Sequence, residues 1–435
     1  MVAAWLPVYA YRSHCLSFAP GAALTRGASS GHEQLKAIAT RLGMSQASSG
    51  SVSGVFLPFF GAALAWRGLS ADAIGLLLSL SLMLRAFAGP MSGIVADARN
   101  DRRRVMLVLY WVMLAGFAAL GTAHAPYLIF LCAVPAYAAY GSATPLLESV
   151  CVRLAERYGF DYGRVRIWAS TAFVVMNVTG GIAVYFLGLG VVPPLLALGA
   201  VLCVISTLLL PSPGTPQAHG ALLPRLNATF AETRELLRSP VFLIFLAAAS
   251  FEQASHAFYY GYGGLHWLAI GYSPTLISVI WPLGVLAEIA LFSQALRVLR
   301  LFGPSKLLII GGLFCVVRWT ILSFDPPLPF VVFAQFLHGG TFAIAHLGAV
   351  FFILRAVPAR LAATAQSLYF VSSQGIMMGV MTMASGSVYA AWGGKAYLLM
   401  TLSGAVGIVL ALLLARRWRG ERILHGAQDE RVETI

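Results

Sequence analysis

The chain is poor in charge, and its cysteines form no pattern. Only 10% of its 435 residues are Asp, Glu, Lys or Arg, against roughly a quarter in a soluble globular domain. The five cysteines, Cys15, Cys132, Cys151, Cys203 and Cys315, are scattered, with no CxxC or Cys/His spacing. That excludes a disulfide framework and gives no basis for a metal site. No glycine-rich phosphate loop, HExxH helix, GxSxG elbow or dinucleotide fingerprint is present. ATP-driven transport and the familiar enzyme chemistries therefore lack a sequence basis, and neither catalysis nor a cofactor is expected. Alternating strands of about ten residues are missing too, which excludes a membrane barrel.

What is there is apolar. The sequence is 59% hydrophobic with a mean hydropathy of +0.80. A helix needs about 20 apolar residues to cross a ~30 Å hydrocarbon layer. Twelve such stretches occur, at 36–66, 71–96, 104–123, 125–152, 162–187, 191–210, 240–269, 273–298, 304–323, 327–355, 361–390 and 395–418. They predict an all-α integral membrane fold of twelve transmembrane helices, because a helical bundle satisfies the backbone in lipid.

The basic residues orient these spans. Of 29 Lys and Arg residues, 25 fall on one side of the twelve-span topology, Arg67 and Lys395 on the other, and Arg85 and Arg318 within spans. Basic loops stay in the cytoplasm, so both termini are expected there. The net charge of +13 thus reports orientation in a bilayer rather than affinity for nucleic acid.

Residues 1–35 read as a disordered cytoplasmic extension; Val2 to Ala10 has no basic residue ahead of it, as a signal peptide would. Met44 is an alternative start that keeps most of span 1. Residues 36–210 and 240–418 are two six-helix halves, joined by a cytoplasmic linker at 211–239 that contains four prolines, and 419–435 is a cytoplasmic tail. An offset of 203 relates the halves: Gly68-Leu69-Ser70 meets Gly271-Tyr272-Ser273, Ile74 meets Ile277, Arg85 meets Glu288, Asp97 meets Arg300, and Arg103 meets Lys306. Such a repeat is the mark of a pseudo-symmetric transporter.

Charges inside spans need a reason. Glu148, Glu252 and Glu288 are the deep acids and Arg85 and Arg318 the deep bases; Arg166 lies near the start of span 5, and His256, His266, His338 and His346 also fall in spans. Each charge at the bilayer centre costs about 2.5–3.5 kcal/mol on insertion scales, so these groups are expected to face a wet interior and pair there. A carboxyl in a cavity that is dry part of the time feels desolvation against the pull of a nearby guanidinium. A rearrangement that changes which one dominates carries a proton. Phe251, Phe258, Tyr259, Tyr260, Trp267 and Trp281 cluster on spans 7 and 8; they are either lipid-interface aromatics or a wall for a ring-bearing ligand. Span 1 is unusually polar in its first half, with Ser45, Gln46, Ser48, Ser49, Ser51 and Ser53, so it is expected to face protein or water. Gly375 with Gly379, and Gly89 with Gly93, are small-xxx-small pairs that allow close helix packing.

The run Phe160-Asp161-Tyr162-Gly163-Arg164-Val165-Arg166-Ile167-Trp168 resembles the Y-G-R-x-R signature of proton-coupled permeases in the major facilitator superfamily, the lactose permease-like branch. The likeness extends over about 50–415, and is nearest to the bacterial 3-phenylpropionate permeases through His256-Ala257-Phe258-Tyr259-Tyr260-Gly261, Gly271-Tyr272-Ser273, Ala287-Glu288, Val317-Arg318-Trp319 and Leu337-His338-Gly339-Gly340-Thr341-Phe342. The resemblance implies that Glu148 and Arg166 match the acid–base pair that holds substrate in sugar-transporting members. Phe173 falls where those members stack a tryptophan. Arg318 and His338 match the proton-coupling Arg and His. The acid three residues beyond that His is Thr341 here, so Glu288 is the candidate proton carboxyl. The family's loop motif between spans 2 and 3 keeps Gly93 and Asp97 but has Ala98 and Asn100 for its Arg and second Gly. Asp97 and Arg103 are the candidate gating residues.

The expectation is a monomeric, multi-pass protein of a bacterial inner membrane whose partners are lipid, protons and a small-molecule substrate, with no role for nucleic acid. It imports a small aromatic carboxylate by proton symport. Glu148, Arg166, Arg85, Phe173, His256, Tyr259 and Tyr260 are the substrate candidates; Glu288, Arg318 and His338 are the proton-coupling candidates. A nucleoside or sugar symporter, a drug antiporter and a non-transporting receptor or scaffold are the alternatives.

Overall fold

The computed structural model describes residues 28–99, 101–211 and 222–423. Among them, eleven helical runs are long and apolar enough to cross a membrane. In chain order these are span 1 (Leu35–Trp66), span 2 (Ala71–Arg99), span 3 (Arg102–Leu120), span 4 (Pro126–Tyr158), span 5 (Tyr162–Leu187), span 6 (Leu189–Leu208), span 7 (Pro240–Ala269), span 8 (Pro274–Ser293), span 9 (Pro304–Leu322), span 10 (Leu328–Ala356) and a final run Ala359–Arg417. That run has 59 residues, which at 1.5 Å each is about 90 Å of helix, far more than one crossing uses. It breaks where Gly393 takes φ 55° and the 3-10 turn Gly393–Ala396 intervenes. Span 11 therefore ends at Trp392 and span 12 is Tyr397–Arg417, giving twelve crossings.

Helix starts follow capping chemistry. Ser239 and Ser273 accept the backbone N–H groups of Phe242 and Leu276, each with Pro as the next residue. Proline is tolerated there because the first-turn N–H has no helical partner. Asp161 caps span 5 through Gly163 N at 2.8 Å. Helix already begins at Ala28, so the last eight residues of the expected extension are helical; residues 1–27 lie outside the described residues. The linker carries a helix, Leu222–Leu237, while 212–221 and 424–435 are likewise outside.

The repeat is visible in the backbone. Gly68 and Gly271 take φ 88° and 96°. After each, the next residue's N–H returns to a carbonyl five positions back, Leu69 to Leu64 at 3.2 Å and Tyr272 to Trp267 at 2.8 Å. This is the Schellman way of ending a helix, which favours glycine at the positive φ. Ser70 and Ser273 then cap the following spans, and Ile74 and Ile277 are fully buried.

Span 5 shows how sequence selects a face. Arg166, Ala169, Phe173, Asn177, Gly180, Gly181 and Val184 are buried at spacings of three, four and one. Ile167, Trp168, Val175, Ile182, Tyr185 and Phe186 are exposed on the opposite stripe, the face a membrane would cover. The inner face packs on spans 1 and 8.

The halves meet closely at the end away from the basic loops. A Cβ built on Gly264 would lie 1.7 Å from the Pro58 carbonyl oxygen, and one on Gly61 would lie 2.1 Å from that of Gly261. Tyr262 donates to Ala71 O at 2.8 Å and Ser387 to Asp72 at 2.6 Å. Nearer mid-span, Gly375 and Gly379 admit Ala86 and Met83 of span 2, as the small-residue pair predicts. Gly89 and Gly93, further towards the basic end, have nothing within 4 Å. Their expected close packing is absent among the described residues.

Candidate substrate and proton site

Four spans of the second half converge on Arg318. Its Nη1 donates to His338 Nδ1 at 2.8 Å and to Thr341 Oγ1 at 3.3 Å, and its Nη2 to Gln335 Oε1 at 3.2 Å. The guanidinium lies 4.8 Å from the Tyr259 ring centroid and 4.3 Å from that of Trp319. Tyr259 OH donates to the same Gln335 oxygen at 2.9 Å. On its other side His338 presents Nε2 to Glu288 Oε2 at 3.8 Å. Glu288 Oε1 has no hydrogen-bond partner among the described residues. His338 thus stands between Glu288 and Arg318.

Local breaks in helix geometry build this cluster. Span 7 is interrupted at Ser255 and His256, between helices Pro240–Ala254 and Ala257–Ala269. Ser255 Oγ donates to Glu252 O at 2.7 Å and accepts from Trp319 Nε1 at 3.1 Å, and such back-bonding bends helices. His256 donates from Nδ1 to Gln253 O at 3.0 Å, which leaves Nε2 to accept from Thr341 Oγ1 at 3.0 Å. Span 10 passes through a π-helical stretch, Gly339–Ile344, a feature common at functional sites. Gly339 and Gly340 sit where a Cβ would lie 3.0 Å from Ala287 O and 2.3 Å from the Phe314 ring. They let span 10 approach spans 8 and 9 closely enough for His338 and Thr341 to share Arg318. The His338 ring rests on Gly284, one helical turn before Glu288.

In the first half, Arg166 Nε lies 3.1 Å from Glu148 Oε1. Glu148 Oε2 accepts from Gln46 Nε2 at 3.1 Å and from Tyr162 OH. Arg166 is buried, whereas the Glu148 side chain keeps 19% exposure. Span 5, which carries Arg166, packs on span 8, which carries Glu288. Phe173 is fully buried on the Arg166 face of span 5, and its carbonyl oxygen abuts Gly54 of span 1. It lies within helix packing rather than on an open wall.

Arg85 occupies the junction of the halves. Its Nη2 donates to Gln374 O of span 11 at 2.7 Å, its guanidinium lies 5.4 Å from the Phe370 centroid, and its Cδ packs on Gly141 of span 4. Gln374 in turn donates to Gln253 of span 7 at 3.1 Å. Nε of Arg85 has no partner, and no carboxylate pairs with it among the described residues. The sequence singled out Arg85, and Gln46 and Tyr162 without a site role, but not Gln253, Gln335 or Gln374; amides within apolar spans were the available signal.

The aromatic cluster divides. Tyr259 stacks on Trp281 at 4.2 Å beside Trp267, and Tyr260 stacks on His256 at 5.5 Å. Phe258 turns away to Tyr262, Tyr389 and Tyr397. Of the gating candidates, Asp97 pairs with Arg102. Arg103 instead binds the span 6 carbonyls of Thr207, at 3.1 Å, and Leu208. The two arginines take different partners because Arg102 and Arg103 diverge by about 100° around span 3.

Residues 50–399 match the MFS_1 like family. The chain belongs to the major facilitator superfamily. It is 30% identical over 356 residues, 80% of this chain and 90% of the other, to the "Probable 3-phenylpropionic acid transporter" of Escherichia coli (strain K12). It is 29% identical over 360 residues, 81% and 88% of the two chains, to a maltose permease of Geobacillus stearothermophilus. The fold matches the crystal structure of the nucleoside transporter NupG with a TM-score of 0.73 at 18% identity, covering 88% of this chain and 99% of that one. A D-xylose-proton symporter matches with a TM-score of 0.65 at 15% identity, covering 89% and 98%. The protein is thus a multi-pass facilitator-superfamily transporter, a class that moves small molecules.

Proposed function

We propose that this transporter imports a small aromatic monocarboxylate together with a proton, through alternating access of one central site. The observation that carries the reading is the chain Glu288, His338, Arg318: a buried carboxyl with one unpartnered oxygen, next to a histidine whose other nitrogen is held by an arginine. A group that binds and releases a proton needs both a vacancy and a neighbour that registers its charge. Intramembrane ionisable groups serve this purpose in pumps and symporters.

Arg85 is the carboxylate anchor. Arg166 already faces Glu148, and Arg318 is engaged by His338, Thr341 and Gln335. Arg85 alone of the three stands between the halves with a carbonyl and a ring as neighbours. Forked recognition of a carboxylate there would join both halves around the ligand. Tyr260, half-buried beside His256, offers a ring surface on the second half. The 30% identical relative named for 3-phenylpropionic acid supports this substrate class.

The arginines of the basic end favour a cytoplasmic side in a bacterial inner membrane, and in that orientation the closely packed end faces outward. One proton with one monoanion moves no net charge, so pH and concentration gradients would drive uptake.

A nucleoside or sugar symporter is the second reading, favoured by the Glu148, Gln46 and Tyr162 group, which could receive hydroxyls. Uptake of labelled phenylpropionate into proteoliposomes with an imposed pH gradient tests the proposal. Competition by unlabelled phenylpropionate but not by nucleosides or maltose is expected; the reverse pattern assigns the second reading, and no substrate-dependent proton movement removes symport.

A further inference from the structure

We propose that the basic end of the second half carries a binding site for the phosphate of an anionic bilayer phospholipid, built by Arg300 and Arg355. After span 8 the short helix Ala295–Leu301 lays Ala295, Val298 and Leu299 against an apolar cluster of spans 8, 9 and 10 that includes Phe292, Leu307 and Leu347. This packing sets Arg300 at the mouth of a cavity of about 460 Å³, lined by Leu299, Arg300, Phe302, Gly303, Phe351 and Arg355. Arg355 sits in the last turn of span 10, its guanidinium 5.6 Å from the Phe351 ring. Both arginines are exposed, and neither has a carboxylate partner among the described residues.

The first half provides the contrast. The position 203 residues before Arg300 is Asp97, which is neutralised internally by Arg102. The second half instead presents two uncompensated forks over an apolar floor, and guanidinium forks match phosphate geometry. Leu301, Phe302 and Leu354 are exposed around the rim. Free phosphate has no use for that surface, whereas a phospholipid places acyl chain and phosphate at this depth together. Basic pockets between transmembrane helices on the basic face hold anionic headgroups for the same reason.

Native mass spectrometry of the purified full-length protein, titrated with phosphatidylglycerol or phosphatidylcholine, tests this without any substrate and so independently of the transport reading. The first phosphatidylglycerol adduct is expected to weaken about thirtyfold in Arg300→Gln/Arg355→Gln, from roughly fivefold per basic residue. Arg300→Lys/Arg355→Lys should retain most of it, and phosphatidylcholine should show no tight adduct. Wild-type affinity in the double Gln variant, or equal binding of phosphatidylcholine, overturns the proposal. Inorganic phosphate that displaces the lipid at equal concentration would assign the site to the free ion and also overturn it. Should the Gln variant not fold, the wild-type adduct must weaken as ionic strength rises; indifference to salt sinks the idea.

Discussion

Arg318 donates to Nδ1 of His338 at 2.8 Å, and that bond fixes what the histidine can offer Glu288. A guanidinium accepts nothing, so Nδ1 is the bare nitrogen and the neutral ring carries its hydrogen on Nε2. Nε2 is the atom 3.8 Å from the Glu288 carboxyl. A second proton on His338 requires Nδ1 to leave Arg318, and hence spans 9 and 10 to shift. Proton occupancy and helix position are linked through one hydrogen bond under the proposed mechanism.

Glu288→Gln keeps the shape of the carboxyl and removes its proton. Accumulation driven by a pH gradient should be abolished, while counterflow exchange of labelled for unlabelled substrate persists. Proteoliposome uptake with and without the gradient measures both. Undiminished accumulation would remove Glu288 from the mechanism.

Arg85→Gln should raise the KM for an aromatic carboxylate about tenfold to a hundredfold, the range for losing a charge-assisted hydrogen bond. The corresponding amide, lacking the anion, should be transported or should compete equally in both proteins. Competition curves with the acid and its amide make the comparison. An equal loss for both ligands would mean that Arg85 only joins the halves through Gln374.

Fold and site were legible to different depths. Apolar length gave span 5 and span 7 at the observed ends, and the glycine-serine repeat falls where the structure has two matching helix ends. These signals are local, since burial pattern and capping act within a few residues. Glu288 beside His338 was not legible as a contact, because it depends on a π-helical stretch and on two glycines that bring span 10 against span 8. Asp97 shows the same limit. Four basic residues follow it within seven positions, and only the helix phase decides that Arg102 is the partner. The aromatic residues of spans 7 and 8 were grouped together, as lipid-interface aromatics or as a ligand wall, yet adjacent Phe258 and Tyr259 point to different neighbours as adjacent helical positions must.

The linker helix is held by an exposed carboxylate. Arg360 hydrogen-bonds Glu235 at 2.9 and 2.5 Å and holds its carboxyl below the usual carboxylate range, against the opposing effect of burial. A depressed value in the folded state stabilises docking above the ordinary range and loses that contribution as pH falls through the lowered value. Hydrogen-exchange protection of Leu222–Leu237, corrected for intrinsic rate, should hold from neutral to mildly acidic pH and fall below the carboxylate range. Glu235→Gln should reduce it about two- to fivefold at pH 7, as solvent screening keeps exposed pairs weak. Unchanged protection in the variant would show that apolar contacts dock the helix.

Among the described glycines, Gly264 makes the tightest approach between the halves. A methyl group there would meet the Pro58 carbonyl at 1.7 Å and its carbon at 2.8 Å, both backbone atoms that cannot rotate aside. Gly264→Ala should therefore prevent closure at the non-basic end while leaving each half folded. Overpacking costs about 1–3 kcal/mol, which shifts an open–closed equilibrium roughly five- to 150-fold. The readout is a cysteine at Ser278, which is 1% exposed and packs on Gly181 of the opposite half. In a background without other cysteines, its labelling by a polar maleimide should rise at least about tenfold with Gly264→Ala, and the maximal uptake rate should fall. Labelling that stays slow while transport is lost would place the obstruction inside one half, and the contact of spans 1 and 7 would no longer be the closing gate.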